Sequence, residues 1–146
     1  MTALDCDFLI VGAGIAGASV AYFLAPHGRV VLLERESQPG YHSTGRSAAL
    51  YMASYGTPQV RALTLASRAF FDQPPPGFAD APILTPRGAL FVAAPGQADR
   101  LDEHLALLAR QSPQACRLTP AQTLTRVPVL RPGQVLGGAL EPDASD

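Results

Sequence analysis

The sequence has little charge and few cysteines. Only 16% of its 146 residues are charged, below the roughly 25% of an average soluble domain, and the net charge is −1. This composition excludes strongly charged disordered chains, and it provides none of the basic surface typical of proteins that bind nucleic acid or anionic membranes. Cys6 and Cys116 are too few for a disulfide framework and lack metal-ligand spacing, so we expect a cytoplasmic protein.

Hydrophobic residues make up 47% of the chain, whose length allows one domain of ordinary size rather than two. Its most apolar stretch, residues 8–25, has the composition of a membrane span or of a signal-peptide core. However, Asp5 and Asp7 precede it where a signal peptide carries positive charge, and glycines interrupt it. We therefore expect no transmembrane segment, and we predict a buried strand followed by a buried helix.

A βαβ unit is predicted near the N-terminus. The pattern favours a strand over residues 7–11, a helix over residues 13–27 and a β-branched strand over residues 29–34. Gly28 follows the helix at the place where a left-handed residue commonly ends one. Two strands joined by a helix imply parallel pairing and an α/β fold.

Beyond residue 56 the sequence predicts short helices and strands, separated by many of its 13 glycines and 14 prolines. The predicted elements are a helix begun by Thr57-Pro58 and ended by Pro74–Gly77, a hairpin or paired strands of residues 83–85 and 88–93, a helix over 97–110, a short helix with a capping box at Thr119, and a strand over 135–140. The last strand is followed by six residues without a terminal helix. We therefore expect an incomplete fold, the N-terminal part of a longer chain.

The segment Gly12-Ala13-Gly14-Ile15-Ala16-Gly17 is a GxGxxG motif between the predicted strand and helix. The first glycine permits a tight turn, the second lets the backbone approach a pyrophosphate, and the third allows close helix packing, while the N–H groups at the helix start face the phosphates. Glu34 follows at the end of the second strand, where a carboxylate accepts hydrogen bonds from an adenosine ribose. These features predict dinucleotide binding; the alternative is that the glycines serve helix packing alone.

Glu34 also narrows the choice of nucleotide. An acid at this position disfavours a 2′-phosphate and therefore NADP, but it does not separate FAD from NAD. The next residue, Arg35, has two interpretations. It either stacks over or pairs with the adenosine end of the nucleotide, or it is simply solvated.

The polar segment 38–47 is too long for a tight connection, and long loops commonly carry function. Residues 38–49, together with two neighbouring runs at residues 34–36 and 55–63, resemble the D-amino-acid oxidase superfamily of FAD-dependent oxidoreductases. The resemblance is greatest to the D-arginine dehydrogenase-like branch of D-amino-acid dehydrogenases. It covers nearly the whole chain and is strong over residues 5–73.

The resemblance implies an FAD site with a Rossmann-like βαβ unit. The residues implied along the pyrophosphate and ribityl chain are Ser43, Thr44, Gly45 and Arg46. The residues implied against the isoalloxazine ring are Ser47, Ala48, Ala49 and Leu50. An alternative for this segment is an N-cap turn at Ser43 or Thr44 followed by an ordinary helix. Residues 42–49 fit FAD proteins and have no evident role at an NAD site.

The resemblance also bears on the substrate. It places Tyr55 in a mobile lid over the substrate pocket, whereas Tyr51 is expected to be half-buried with its hydroxyl satisfied. Members that take basic substrates carry a histidine and an acid at the positions held here by Leu50 and Ala89. Losing the acidic partner costs a guanidinium on the order of 2–5 kcal/mol. We therefore expect a small or apolar D-amino acid, or another secondary amine.

No catalytic or metal-binding residue is predicted in the chain. His42 is expected to order the loop that contains it rather than to transfer protons, and His27 and His104 are expected at the surface. The residues that clamp a substrate carboxylate lie in the C-terminal part of such enzymes.

The resemblance implies transfer of a hydride from the substrate Cα–H to flavin N5, giving an imine that water hydrolyses to a 2-oxo acid and ammonia. Residues 1–80 are assigned to an FAD-binding domain and residues 81–146 to the beginning of a mixed α+β substrate domain. The electron acceptor, oxygen or quinone, is left open. Alternatives are a non-catalytic fragment and an NAD-binding regulatory module, and we expect the chain alone to be inactive and poorly soluble.

Overall fold

The structure, a computed structural model, describes residues 5–146 and divides the chain into two compact units. The first unit ends at Ala48, and the second comprises Ala49–Asp146. The domain boundary predicted near residue 80 lies inside the second unit, and the assignment of the two domains stays a prediction.

The first unit contains the predicted βαβ arrangement. Strand β1 (Phe8–Val11) lies parallel to β2 (Val30–Leu33), with all four residues of each strand paired. Helix α1 (Ile15–Leu24) connects them and continues as a 3-10 turn over Ala25–His27. The apolar stretch 8–25 is thus divided between a strand and a helix, as predicted. The prediction that both are buried is wrong: α1 contains no buried residue, and Leu9 and Val11 of β1 are 58% and 81% exposed. Two strands and one helix provide too few packing partners within the first unit to cover these apolar faces. Within residues 5–146, no helix is long and apolar enough to span a bilayer.

The prediction of a left-handed Gly28 is wrong. Its φ of 167° and ψ of −176° describe extended backbone, which any residue adopts. Glycine is required here by space, because a Cβ would lie 2.9 Å from both Cβ and Oδ2 of Asp7. The Asp7 carboxylate is this close because it accepts a hydrogen bond from the Arg29 N–H at 2.7 Å. Close approach of a side chain, rather than helix termination, accounts for the glycine.

In the second unit, helix α2 (Pro58–Asp72) begins where the sequence predicts. Thr57 is its N-cap, and the Thr57 hydroxyl accepts a hydrogen bond from the Val60 N–H. Proline at the first helical position loses nothing, since its missing N–H would have had no partner in the helix. The helix ends just before the prolines at residues 74–76, as predicted, because proline cannot continue the hydrogen-bond ladder.

A three-stranded antiparallel sheet forms the centre of the second unit. It consists of β3 (Ala89–Ala93), β4 (Cys116–Leu118) and β5 (Gly137–Glu141), with β5 in the middle. Helices α3 (Ala98–Gln111) and α4 (Pro120–Arg126) pack against β5. The buried cluster between α3 and the sheet consists of Ala93, Leu101, Leu108 and Ala139.

The capping box predicted at Thr119 is confirmed at the start of α4. The Thr119 hydroxyl accepts a hydrogen bond from the Gln122 N–H at 3.2 Å, and the Gln122 side-chain oxygen accepts one from the Thr119 N–H at 2.8 Å. Two backbone donors that the helix leaves without partners are thereby satisfied.

The predicted hairpin of residues 83–85 and 88–93 is wrong. Strand β3 pairs with β5, and Thr85 exchanges backbone hydrogen bonds of 2.8 and 3.0 Å with Asp146. The N–H groups of Arg87 and Gly88 both donate to the Ala144 carbonyl. The two segments therefore form backbone hydrogen bonds with residues 137–146 rather than with each other. Strand β4 was not predicted, because three residues are too short to show a periodicity.

Candidate functional site

The glycine motif forms a tight turn between β1 and α1. Gly12 has a φ of 98°, a left-handed conformation that favours glycine, and its N–H donates to the Leu33 carbonyl at 2.7 Å. A Cβ on Gly17 would lie 1.8 Å from the Gly12 carbonyl oxygen. A Cβ on Gly14 would lie 3.1 Å from the Thr44 hydroxyl. The structural roles predicted for the first and third glycines, a turn and close packing, are therefore present in this structure.

The start of α1 has the character of an anion site. Gly14 is the N-cap and provides no side-chain hydrogen bond, and the first turn contains no acidic residue. The Ile15 N–H donates instead to the Thr44 hydroxyl at 3.0 Å. Unpaired N–H groups and the positive end of the helix dipole favour negative charge at such a terminus.

The Glu34 carboxylate binds the backbone of the glycine turn. Its Oε2 accepts a hydrogen bond from the Ala13 N–H at 2.8 Å, and its Oε1 accepts from the N–H groups of Arg35 and Glu36 at 2.8 and 3.0 Å. The hydrogen bond from Glu36 and then that from Ala13 lower the pKa of Glu34 below its ordinary 4.5. A carboxylate has about four acceptor positions, so three bonds leave it able to accept another.

The loop 38–47 closes onto the glycine turn. The Gly40 N–H donates to the Ala13 carbonyl at 3.1 Å, and the Gly45 N–H donates to the Gly40 carbonyl at 2.7 Å. The loop contains a 3-10 turn at Thr44–Arg46, and no ordinary α-helix follows in the described chain until Pro58. The predicted alternative of an N-cap followed by an ordinary helix is therefore wrong.

Loop and turn together enclose a cleft of about 290 Å³ within the first unit. The residues that line it are Gly12, Gly14, Glu34, Gly40, Tyr41, His42, Ser43 and Thr44. Five of the eleven residues predicted along the diphosphate, ribose and ribityl part of the cofactor thus line one cavity. The other six, Ile15, Ala16, Gly17, Arg35, Gly45 and Arg46, are not among its lining residues. Sequence reasoning missed Tyr41, which lies in the loop but carries no motif of its own.

Glu36 fixes the outer part of the loop, a role that the sequence did not predict. Its Oε1 accepts hydrogen bonds from Arg35 Nη2 at 2.8 Å and from His42 Nε2 at 2.9 Å. The hydrogen bond from His42, followed by that from Arg35, lowers the pKa of Glu36 below its ordinary value. His42 therefore ties the loop to the end of β2, as its predicted role in ordering the loop requires.

The residues predicted against the flavin ring and substrate have the following positions. Ser47 and Ala48 end the first unit, and Ala49 begins the second with a left-handed φ of 51°. Leu50 is partly exposed, and Tyr55 is 72% exposed. Ala89 is the first residue of β3. Their contacts with cofactor or substrate stay predictions.

Three further predictions concern Tyr51, His27 and His104. The Tyr51 hydroxyl donates to the Thr64 carbonyl at 3.1 Å, as expected, but the residue is buried rather than half-buried, because its ring packs against that of Phe71. His27 is exposed, as expected. The prediction of a surface His104 is wrong, because the centroid of its ring lies 3.9 Å from that of the Phe91 ring and its Nε2 is buried.

Comparison with known proteins identifies the family. A sequence profile described as "FAD dependent oxidoreductase", that of the D-amino-acid oxidase family, matches residues 7–146. The chain belongs to this family. Its cofactor class is therefore FAD, as predicted from loop 38–47.

Three known proteins are similar to this chain in sequence or in fold. L-2-hydroxyglutarate dehydrogenase from Salmonella houtenae is 42% identical over 77 residues, which cover 46% of this chain and 18% of the relative. Glycine oxidase from Geobacillus kaustophilus superposes with a TM-score of 0.79 at 24% identity, covering 97% of this chain and 40% of that one. Dithionite-reduced L-α-glycerophosphate oxidase from Mycoplasma pneumoniae with FAD bound gives a TM-score of 0.75 at 17% identity, covering 96% and 38%. The chain spans less than half the length of each relative.

Proposed function

We propose that the chain forms the adenosine diphosphate end of the FAD site in an oxidoreductase that oxidises a small D-amino acid or related amine. The observation that carries this proposal is the cleft between the start of α1, Glu34 and loop 38–47. These residues provide a glycine turn, a helix N-terminus without an acid, and a carboxylate with spare acceptor capacity. That combination fits a dinucleotide diphosphate and its ribose.

The residues have separate roles in this proposal. Ile15 and Ala16, at the first turn of α1, face the pyrophosphate together with Ser43 and Thr44. Glu34 accepts the ribose hydroxyls. Arg35, which is paired with Glu36 and mostly exposed, borders the adenosine. The remaining FAD contacts are proposed for Gly45, Arg46, Ser47, Ala48, Ala49 and Leu50.

FAD, when bound, accepts the hydride equivalent that the substrate loses. The chain's own residues are proposed to shape the substrate side through Leu50, Tyr55 and Ala89. Because Leu50 and Ala89 carry no charge, they favour a small or apolar substrate over a basic one. The electron acceptor is oxygen or a quinone.

A second candidate substrate is a 2-hydroxy acid. The 42% identity with an L-2-hydroxyglutarate dehydrogenase favours it. Oxidation of a 2-hydroxy acid and of an amino acid both remove hydrogen from a carbon that bears a heteroatom, so the proposed cofactor site serves either reaction.

The test begins with a titration of the purified chain with FAD, in which quenching of flavin fluorescence reports binding. Stoichiometric binding that ADP competes and NAD does not would support the site. For the substrate, an FAD-loaded protein that contains this chain together with the C-terminal part expected to clamp the substrate carboxylate is mixed anaerobically with small D-amino acids or with L-2-hydroxy acids, and flavin absorbance is followed. Bleaching by the amino acids supports the first candidate, and bleaching by the hydroxy acids supports the second. Soluble, folded chain that takes up no FAD would contradict the proposal, and tight binding of NAD instead would favour a regulatory module.

A further inference from the structure

A carboxylate outside the cofactor cleft has a connection that the proposed function does not use. Glu141, the last residue of β5, is fully buried. Burying an ionisable group is costly unless hydrogen bonds satisfy it. Both of its oxygens accept hydrogen bonds from Ser54, which lies 87 residues away in the chain. The Ser54 hydroxyl donates to Oε2 at 2.5 Å, and the Ser54 N–H donates to Oε1 at 3.3 Å.

Ser54 lies in a loop of residues 51–56, which we call the Tyr55 loop. At its start, Tyr51 exchanges backbone hydrogen bonds of 2.7 and 3.0 Å with Ser145. At its end, the Gly56 carbonyl accepts a hydrogen bond from Arg61 Nη1 at 2.5 Å. The two hydrogen bonds to Glu141 lie between these attachments along the loop, and they fix the residue directly before Tyr55.

Exposure changes abruptly at this point of the loop. Ser54 is 5% exposed, whereas Tyr55 is 72% exposed. The Tyr55 side chain is therefore exposed to solvent, whereas the residue directly before it is buried in the second unit. Without the Ser54 hydrogen bonds, the residue directly before Tyr55 would lose its polar anchor to β5.

Glu141 also adjoins a second residue of the proposed substrate site. In the antiparallel pairing of β3 with β5, Glu141 is directly opposite Ala89. Directly opposed residues have side chains on the same face of a sheet, with Cβ atoms roughly 5 Å apart. Glu141 is therefore linked to Tyr55 through Ser54 and to Ala89 through strand register. Because the Glu141 side chain is fully buried, we assign it no direct contact with a substrate.

We propose that Glu141 is a positioning residue of the substrate site, which anchors the Tyr55 loop beside Ala89 through Ser54. In this proposal the base of the loop is fixed, and the lid movement expected of Tyr55 is confined to its exposed side chain. This inference rests on the proposed function for the meaning of the loop, but the anchor is testable without cofactor or substrate. It assigns a role to an acid that the sequence motifs do not include.

The test uses the absence of tryptophan from the sequence. A Tyr55→Trp chain carries one indole, whose fluorescence anisotropy and acrylamide quenching report on the loop. Ser54→Ala, Glu141→Gln and Glu141→Ala are each added to this background. Ser112→Ala is the matched control, because Ser112 is also buried and also donates to a carboxylate, that of Asp143, at 2.5 Å. Far-ultraviolet circular dichroism verifies the fold of each variant.

We expect the quenching constant to rise by about twofold, and the anisotropy to fall, when the anchor is removed, because local opening exposes the loop. Glu141→Gln, which retains one acceptor oxygen, should lie between the parent and Glu141→Ala. Ser112→Ala should leave both signals unchanged. If Glu141→Ala does not fold, Ser54→Ala provides the measurement, since it removes a single hydroxyl.

Equal signals in the parent, Ser54→Ala and Glu141→Gln chains would overturn the inference. Equal loosening in the Ser112→Ala control would do the same, because the effect would then be one of general stability. FAD titration of the same preparations tests the proposed function separately. A loop that responds to Glu141 in a chain without FAD affinity would contradict the proposed function and leave the anchor standing.

Discussion

The hydroxyl of Thr44 accepts a hydrogen bond from the backbone N–H of Ile15 at 3.0 Å. The contact joins the cofactor loop to the first turn of α1, where the N-cap Gly14 has no side chain to satisfy a helix donor. The loop is thereby closed over the turn at the place where we propose that phosphate binds. Thr44 consequently determines both the shape of the cleft and the orientation of one of its donors.

Replacing Thr44 with valine tests this contact. Thr44→Val keeps the side-chain shape but removes the acceptor, so we expect FAD affinity to fall about two- to tenfold, in line with a net hydrogen-bond contribution of about 0.5–1.5 kcal/mol. Thr44→Ser should retain most of the affinity. The control is Thr125→Val, which removes an exposed hydroxyl that donates to the Ala121 carbonyl at 3.0 Å. Fluorescence titration measures all three, and parental affinity in Thr44→Val would show that the contact is not needed.

Two glycines of the motif should differ in how much a methyl group costs. In Gly17→Ala the new Cβ would lie 1.8 Å from the Gly12 carbonyl oxygen, so the turn must deform and FAD binding should be lost. In Gly14→Ala it would lie 3.1 Å from the Thr44 hydroxyl, which can rotate, so affinity should fall but remain measurable. Gly77→Ala is the control, with a φ of 79° and no atom within 4 Å. Its backbone strain of about 1–2 kcal/mol should lower stability without changing FAD affinity. Equal affinity in the two motif variants would contradict this order.

Features encoded by neighbouring residues could be predicted from the sequence. The Thr57-Pro58 helix start, the Thr119 capping box and the glycine turn each depend on side chains and backbone within a few residues. The position of Glu34 follows from the length of one βαβ unit. These signals located the cleft proposed to bind the cofactor, and family resemblance then selected FAD over NAD.

Features that depend on distant partners could not be predicted. The hairpin prediction failed because the partner of β3 is β5, a strand about fifty residues away in the chain. Glu141 gave no signal for the same reason, since its donor Ser54 is 87 residues away. Gly28 fits the helix-end pattern in sequence, but its actual constraint is the Asp7 side chain, which only the fold brings near.

The stability of the first unit should depend on pH through Glu36. The hydrogen bond from His42 is the largest cause of the lowered pKa of Glu36, whose ordinary value is 4.5. The unfolded chain therefore takes up a proton at higher pH than the folded chain, and the free energy of unfolding should fall as pH decreases through 4.5 towards the lowered pKa. Urea denaturation at about pH 6 and about pH 4 should show a smaller loss in Glu36→Gln than in the parent. Some dependence should persist, because the pKa of Glu34 is lowered too.

The control for this experiment is Asp102→Asn, which removes an exposed acid of the second unit that pairs with Arg117. In Asp102→Asn, the first unit should lose as much stability on acidification as it does in the parent. A His42→Gln chain should resemble Glu36→Gln, since it removes the other half of the pair. Parental acid sensitivity in both pair variants would show that the pair does not stabilise the folded loop.

His104 should make the second unit sensitive to a milder acidification. Burial lowers its pKa below the ordinary 6.5, against an opposing effect of Glu141. The unfolded chain therefore binds a proton more readily, and the free energy of unfolding should fall as pH decreases below about 6.5. His104→Phe should abolish this dependence and keep an aromatic contact with Phe91. It also removes the buried Nε2, which has no hydrogen-bond partner within residues 5–146, so stability at neutral pH should be retained or rise by about 1 kcal/mol. Urea denaturation on either side of pH 6.5 measures the effect, and His27→Gln, which replaces an exposed histidine, is the control. If the free energy of unfolding changed with pH in His104→Phe as much as in the parent, another group would be responsible for the dependence.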